Sequence, residues 1–370
     1  MKYYIIAGEA SGDLHASNLI KELKIGDLNA DFRCWGGDLM EQQGVTLAKH
    51  YRDLAFMGFV EVLLNIKTIL KNFAFCKKDV LQYKPDVIIL VDYPGFNLKI
   101  AIWAKKMGIK VFYYISPQIW AWKQNRVHNI KSNVDKIFVI LPFEKEFYAK
   151  FNVEVDFVGH PLLDAIESRT IVPLDEFCNQ NNLPQKPIIA LLPGSRKQEI
   201  HTMLPIMLSV IKSFPDYQFV VAGAPSQDED FYQQYLSKQC SLLENKTYQL
   251  LEHSTAALVT SGTATLETAL FKIPQVVCYK ANPISYRIAK AVIKVKFISL
   301  VNLIANKELV KELIQNELNS IQLKKELAKL LEPTYRKQLL TDYIELQEKL
   351  GGLGASKRTA ELMLQYLKSN

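Results

Sequence analysis

The chain offers no cysteine framework. Its five cysteines, Cys34, Cys76, Cys178, Cys240 and Cys278, lie far apart, with no C-x-x-C and no histidine at metal-ligand spacing. That argues against zinc and dithiol motifs and fits reduced, buried thiols in the cytoplasm. Long hydrophobic runs are missing too. No window reaches the ~20 apolar residues of a spanning helix, and the N-terminal apolar run is too short, and lacks the cleavage site, for a signal peptide. Any membrane role therefore means lying on the surface. No Lys/Arg run interleaves with aromatics, which argues against a nucleic-acid groove. The net charge of +7 fits an anionic partner such as a nucleotide, a lipid phosphate or a membrane surface, but equally fits plain solubility.

What is present is alternation. A chain of 370 residues exceeds what one core normally supports, so two domains are expected. Short apolar runs alternate with helical patterns, which predicts β-α units around parallel sheets. Runs at Tyr3–Ala7, Phe32–Trp35, Val87–Val91, Lys110–Ile115, Lys136–Ile140 and Asp156–Val158 read as strands. The pattern lapses between Ile166 and Lys186, then restarts with "PIIALLPGSR" and further runs at Gln218–Ala222, Ala257–Thr260 and Gln275–Tyr279. From Lys307 onward the chain reads as mostly helical, interrupted by "GGLGASK". The expected class is α/β: Rossmann-like domains over 1–165 and 166–340 facing a central cleft, with C-terminal helices over 341–370 packing back on the first. Ligands in open α/β sheets bind at the carboxyl edge of the strands, so the chemistry should come from the turns that follow them.

The first such turn, "GEASGD" (Gly8–Asp13), fails both phosphate fingerprints, having neither the third glycine in register nor a Gly-Lys-Ser/Thr. It carries two carboxylates, Glu9 and Asp13, which suit sugar hydroxyls as donors. Ser11 and Gly12 complete this candidate acceptor turn. For Asp13, capping the helix explains the residue equally well. The second half differs. "LLPGSRKQEI" sets Gly194, Ser195 and Arg196 between a strand and a helix, so that amides, helix dipole and guanidinium converge as a diphosphate site would require. "TSGTATLETAL" adds Ser261, Gly262, Thr263, Ala264 and Thr265 at another strand-to-helix turn, with Glu267 one helical turn on, where a ribose diol would lie. An ordinary Ser/Thr-rich N-cap is the alternative.

"GEASGD", "VDYPGFN", "YYISPQIWAWK", "LPFE", "FVGHPLLD", "LLPGSR" and "SGTATLETAL", in this order, resemble the lipid-A-disaccharide synthases, bacterial glycosyltransferases of GT-B architecture. The resemblance implies condensation of UDP-2,3-diacylglucosamine with 2,3-diacylglucosamine 1-phosphate. The products are an acylated disaccharide phosphate and UDP. It also implies UDP in the second half, acceptor in the first, and neither cofactor nor metal. Its setting is cytoplasmic and peripheral, on the cytoplasmic face of the inner membrane, with an anionic membrane surface as partner and a homodimer as candidate assembly. Asn302 is assigned to the acceptor site by the resemblance alone.

Inverting transfer needs a base for the acceptor hydroxyl and neutralisation of the departing diphosphate. Asp92 ends the apolar strand in "IILVDYPGFN", where partial desolvation raises a carboxylate pKa into a useful range. It is the expected base, and the resemblance places the family's base at the same residue. Capping of the Pro-Gly turn is the alternative. Glu9 is counted with Asp92 and Arg196 in the expected catalytic set, Arg196 to meet the leaving group, and Asn97 is expected to orient the sugar. In "SPQIWAWKQNR", Gln118, Lys123 and Arg126 are candidate acceptor-phosphate contacts. His15 ranks below Asp92 as a base, and His160 reads as part of a hinge.

"MGFVEVLLNIKTILKNFAFCKK" carries Met57, Phe59, Val60, Leu63, Ile66 and Leu70 on a broad apolar face rimmed by lysines. Packing on a sheet explains half of that face; its breadth and rim predict contact with acyl chains or the membrane. The rival readings are another UDP-sugar enzyme of the same scaffold, an epimerase or peptidoglycan glycosyltransferase, and a non-catalytic UDP-sugar or lipid-binding protein.

Overall fold

A computed structural model describes residues 1–54, 66–121, 123–225, 227–236, 240–282, 286–287 and 295–369. The chain divides into two compact units, Met1–Glu167 with Leu350–Asn370, and Ser168–Lys349.

The first unit is built on a parallel sheet of β1 (Lys2–Ala7), β2 (Asp31–Gly36), β3 (Thr46–His50), β4 (Val87–Val91), β5 (Lys110–Tyr114), β6 (Lys136–Val139) and β7 (Asp156–Phe157). Their spatial order is β3-β2-β1-β4-β5-β6-β7. The central strand β4, "VIILV", is buried at every position, as expected where helices cover both faces of a parallel sheet. Helix Ile66–Tyr83 is fastened to this sheet by a polar knot as well as by Cys76 and Val80. Arg33 forms a two-pronged ion pair with Asp79 at 2.7 Å on each prong. Asp79 also accepts from the Tyr4 hydroxyl at 2.7 Å, which in turn accepts from the Trp35 indole at 2.8 Å. Each buried donor thereby meets an acceptor, as low-dielectric surroundings demand.

The C-terminal helix Ala355–Lys368 belongs to this unit. Asp164 caps it by accepting the amides of Gly354 at 2.6 Å and Ser356 at 2.9 Å. Arg358 reaches back to the Val158 carbonyl at 2.9 Å. Leu364 packs so tightly on helix Ala10–Gly26 that a Cβ on Gly26 would lie 2.3 Å from it. The preceding helix, Pro333–Lys349, belongs to the second unit, so the return begins at Leu350 and not at 341.

The second unit repeats the plan. Its strands are β8 (Ile188–Leu192), β9 (Gln218–Gly223), β10 (Cys240–Glu244), β11 (Ser254–Thr260), β12 (Gln275–Tyr279) and β13 (Lys311–Ile314), ordered β10-β9-β8-β11-β12-β13 and all parallel. Strand β13 lies inside the stretch that reads as helical from sequence. It is an edge strand of only four residues, two of them half-exposed, too short to show a strand period. In both sheets the strand order reverses once, between β1 and β4 and between β8 and β11. Open parallel sheets bind ligands at such reversals. The reversals bring together the turns after β1 and β4 in one unit and after β8 and β11 in the other.

Candidate active site

In the first unit Ala7 pairs with Val91, so Gly8 and Asp92 leave neighbouring strands side by side. Asp92 and Tyr93 both take left-handed backbone conformations, φ +44° and +50°. At the end of the next strand Ile115 does the same at φ +60°, an outlier for a β-branched residue. Strain of this kind persists only where the surroundings impose it, and it clusters at functional sites. The Tyr93 ring lies directly over Gly8, where a Cβ would come within 2.3 Å of it. The first glycine of "GEASGD" therefore makes room for an aromatic ring rather than a phosphate.

The Asp92 carboxyl is half-buried. Burial, reinforced by the nearby charge of Glu9, raises its pKa to about 7, against the opposing Tyr93 amide. Such a group exchanges protons near neutrality, as a general base must. Glu9 is the half-buried N-cap residue of helix Ala10–Gly26, and Ser11 is exposed in its first turn.

Several expected contacts prove structural. Asp13 is 2% exposed and accepts the amides of Gly37 at 2.7 Å and of Leu39 and Met40 at 3.1 Å each. It caps the short helix Asp38–Glu41, so its acceptor capacity is spent inside the protein. Gly12 is buried, its Cβ position 3.2 Å from Ala7, and serves helix-to-strand packing. Asn97 is fully buried, and its amide donates to the carbonyls of Asp92 at 2.7 Å, Val91 at 3.2 Å and Ile6 at 3.3 Å. It orients the strand ends and not a sugar.

Gln118 and Lys123 are exposed, and Arg126 is half-buried, with its charge felt at Tyr113. These remain candidates for an anionic group. His15 and His160 are buried neighbours held neutral. Burial lowers them to about 4 and about 3, opposed at His15 by Asp164 and reinforced at His160 by His15. His160 is buried and its amide donates to the Leu350 carbonyl at 2.9 Å, at the residue where the chain returns to this unit. Met57, Phe59, Val60 and Leu63 lie outside the described residues, as does the side chain of Ile66. Leu70 is 62% exposed on helix Ile66–Tyr83, with Phe75 at 43%.

In the second unit Gly194 has φ +108°, and a Cβ there would fall 2.7 Å from a Glu199 carboxylate oxygen. Ser195 and Arg196 are exposed at the start of helix Lys197–Leu208. Their amides point at Glu199 Oε2 at 3.3 and 3.4 Å, and the Arg196 guanidinium meets Glu199 Oε1 at 3.0 Å. Glu199 thus closes a capping box on the helix's own N-terminal amides. Glu199 is the residue that sequence reasoning missed here. Its signal was available, since an acid three residues into a helix reaches back to the N-terminal amides.

At the turn after β11, Ser261 has both its polar groups engaged: its hydroxyl donates to Ile298 at 3.0 Å and its amide to Cys278 at 3.0 Å. Thr265 is fully buried and bonded to the Gly262 carbonyl at 2.8 Å. Both hydroxyls donate within the protein. Gly262 and Thr263 are exposed and Ala264 half-exposed at the start of helix Thr263–Leu270, where amides lack partners within the helix. Glu267 is half-buried, 3.5 Å from the Tyr248 hydroxyl, and burial raises it to about 7. Asn302 is fully buried. It accepts the amides of Leu309 and Val310 at 2.8 and 2.9 Å, and it donates to Val310 O at 2.9 Å and Glu312 at 2.8 Å. It braces the entry to β13 and is no acceptor contact.

A family model described as Lipid-A-disaccharide synthetase matches residues 3–365. A lipid-A-disaccharide synthase of Syntrophus aciditrophicus is 39% identical, covering 99% of this chain and 98% of its own. A lipid-A-disaccharide synthase 1 of Legionella pneumophila strain Paris is also 39% identical, covering 98% and 97%. Among solved structures, the UDP-GlcNAc 2-epimerase of Neisseria meningitidis bound to UDP-GlcNAc superposes with a TM-score of 0.65 over the whole of both chains at 15% identity. At that identity the likeness speaks for the shared scaffold alone, and the sequence relatives separate this chain from the epimerases.

Proposed function

The chain belongs to the lipid-A-disaccharide synthetase family, and from that membership together with the geometry we propose how its residues divide the work. The protein is a GT-B hexosyltransferase that forms the lipid A disaccharide from a UDP-sugar donor. In our reading Asp92 takes the proton of the acceptor hydroxyl as that oxygen bonds to the anomeric carbon of UDP-2,3-diacylglucosamine. The bond to the diphosphate breaks on the opposite face, and its electrons leave with UDP. Arg196 and the amides of the Gly194–Arg196 turn take up the negative charge, displacing Glu199, and the amides opening helix Thr263–Leu270 hold the remaining phosphate oxygens. Glu267 accepts from the ribose diol. No metal is required in this scheme, and EDTA is expected to leave the rate unchanged.

The observation that carries the reading is the position of Asp92 at the strand-order reversal, directly after β4 and beside Gly8, in a left-handed conformation; burial raises its carboxyl to about 7. The test measures UDP release from the acylated UDP-sugar with and without acylated glucosamine 1-phosphate, for wild type and Asp92→Asn. Normal UDP binding with no transfer supports the assignment; transfer at the wild-type rate by Asp92→Asn removes it.

We place the acyl chains and the membrane surface at helix Ile66–Tyr83. Leu70 and Phe75 project from it beside exposed Lys67, Lys71 and Lys78. Phe73 stacks on Phe96 at 4.3 Å, and Phe96 on Tyr93 at 5.6 Å, an apolar path from the helix to the Asp92 turn. This reading sets the enzyme on the cytoplasmic face of the inner membrane. Among the described residues no helix is long and apolar enough to cross a membrane. Polar replacement of Leu70 and Phe75 should abolish sedimentation with anionic vesicles; unchanged sedimentation and activity would refute the placement.

A further inference from the structure

The Asp92 main-chain carbonyl is held from two sides. The hydroxyl of Tyr113, one strand over on β5, donates to it at 2.7 Å, and the Asn97 side-chain amide donates at 2.7 Å from the helix that follows. Both donors are fully buried. Aspartate enters the left-handed region more readily than most residues with a Cβ, but Asp92 at φ +44° is followed by Tyr93 at φ +50°, an aromatic residue for which this region is uncommon and whose ring is pressed over Gly8. Were the two donors absent, the partly buried carbonyl would lose both side-chain partners, and among the described residues only the bond from the Asp92 amide to the Tyr114 carbonyl at 3.2 Å would tie this residue's backbone. That backbone sets the direction in which the Asp92 side chain leaves the main chain, because Cβ is fixed by φ and ψ.

We propose that Tyr113 and Asn97 are positioning residues, a two-donor latch on the Asp92 carbonyl that holds the base in the left-handed conformation from which it reaches the acceptor hydroxyl. Neither residue touches the reacting atoms. The Tyr113 hydroxyl is a dependable donor, since burial first, and then the neighbouring Asp92, keep its proton on far above the working range, against the smaller opposing effects of a hydrogen bond with Asn97 and the charge of Arg126. The latch also accounts for the sequence "YYIS". The second tyrosine, Tyr114, is equally buried, yet alternation along the strand sends it to the opposite face of the sheet, leaving Tyr113 on the face that holds the latch.

The proposal rests on Asp92 being the base, so Asp92→Asn is measured alongside. Tyr113→Phe keeps the buried ring and removes one donor. Its kcat is expected to fall about tenfold, since small displacements of a reacting group have effects of that order. KM for the UDP-sugar should stay unchanged. The midpoint of the kcat–pH profile should move to lower pH as the carboxyl becomes better solvated. A purely structural tyrosine would lower the melting temperature and leave the rate per folded molecule and the midpoint alone; that outcome overturns the proposal. Should Tyr113→Phe fail to fold, Asn97→Ala removes the other donor to the same carbonyl, with the same rate loss expected and the same overturning result. Loss of activity in Asp92→Asn with wild-type kinetics in the latch variants rejects the latch alone, whereas an active Asp92→Asn rejects the base assignment itself.

Discussion

The two units share one plan of parallel strands with a single reversal of order, and they put opposite kinds of site at that reversal. In the first, the turn after β4 is closed in: Asp92 and Tyr93 are strained, two buried donors hold the carbonyl, and burial lifts the carboxyl to about 7. In the second, the turn after β8 is exposed, and its one unusual torsion falls on a glycine, Gly194, where it costs little. A base gains its proton affinity from desolvation and its aim from rigidity. An anion cradle works through backbone amides and a guanidinium at the surface, where a ligand can reach them. The same scaffold therefore yields either site, depending on whether the turn residues are packed inward or left in water.

The sharpest way to break this contrast is to remove each unit's charge in turn. Asp92→Asn should lower kcat by roughly a thousandfold, within the range usual for loss of a general base, while UDP affinity measured by calorimetry stays as in wild type. Arg196→Ala should show the reverse pattern, weakening UDP binding and lowering kcat/KM by about a hundredfold, as loss of an electrostatic contact to a leaving group does. A variant of one unit that produced the other's signature would end the division of labour.

The contrast can be sharpened by pH. Asp92 serves as base only when ionised, so kcat should rise with pH through a midpoint near 7. A midpoint near 4, the ordinary carboxylate value, would mean the turn is wet. The histidines add a separate signature in stability. His15 is held neutral down to about 4 against an ordinary 6.5. The unfolded chain therefore binds the extra proton first, and stability is lost as pH falls from 6.5 toward 4. That loss is on the order of 3 kcal/mol at its limit. His15→Gln should lose less stability than wild type over this window in denaturant titrations at pH 7 and 4.5. The smallest effect belongs to the second unit. Glu199→Gln removes the carboxylate that competes for the Ser195–Arg196 turn. Because the ion pair is exposed and worth little, UDP should bind about fivefold more tightly and no more; weaker binding would show that Glu199 organises the turn instead of competing for it.

Most of the sheet cores were legible from residue order. β1, β4, β8 and β11 are runs of apolar residues because both faces of a central parallel strand are covered. Three edge strands, β3, β10 and β13, escaped notice. Each has only one neighbour and carries exposed or half-exposed positions, so none produces a continuous apolar run. The same difference governs the sites. Asp92 and Arg196 are recognisable because each follows a strong strand signal at a turn. Asp13, Asn97, Thr265 and Asn302 carry the same polar groups as ligand contacts, yet their partners are amides and carbonyls within the protein.

The order of residues by itself determined the alternating β-α plan, the family and the turns that carry the chemistry, because periodicity and local motifs are written in neighbouring positions. Which polar side chains face a ligand and which are spent on the backbone was decided only by the tertiary structure. A hydrogen bond such as that from Tyr113 to Asp92 joins strands that lie 21 positions apart, and its existence depends on the sheet that brings them together.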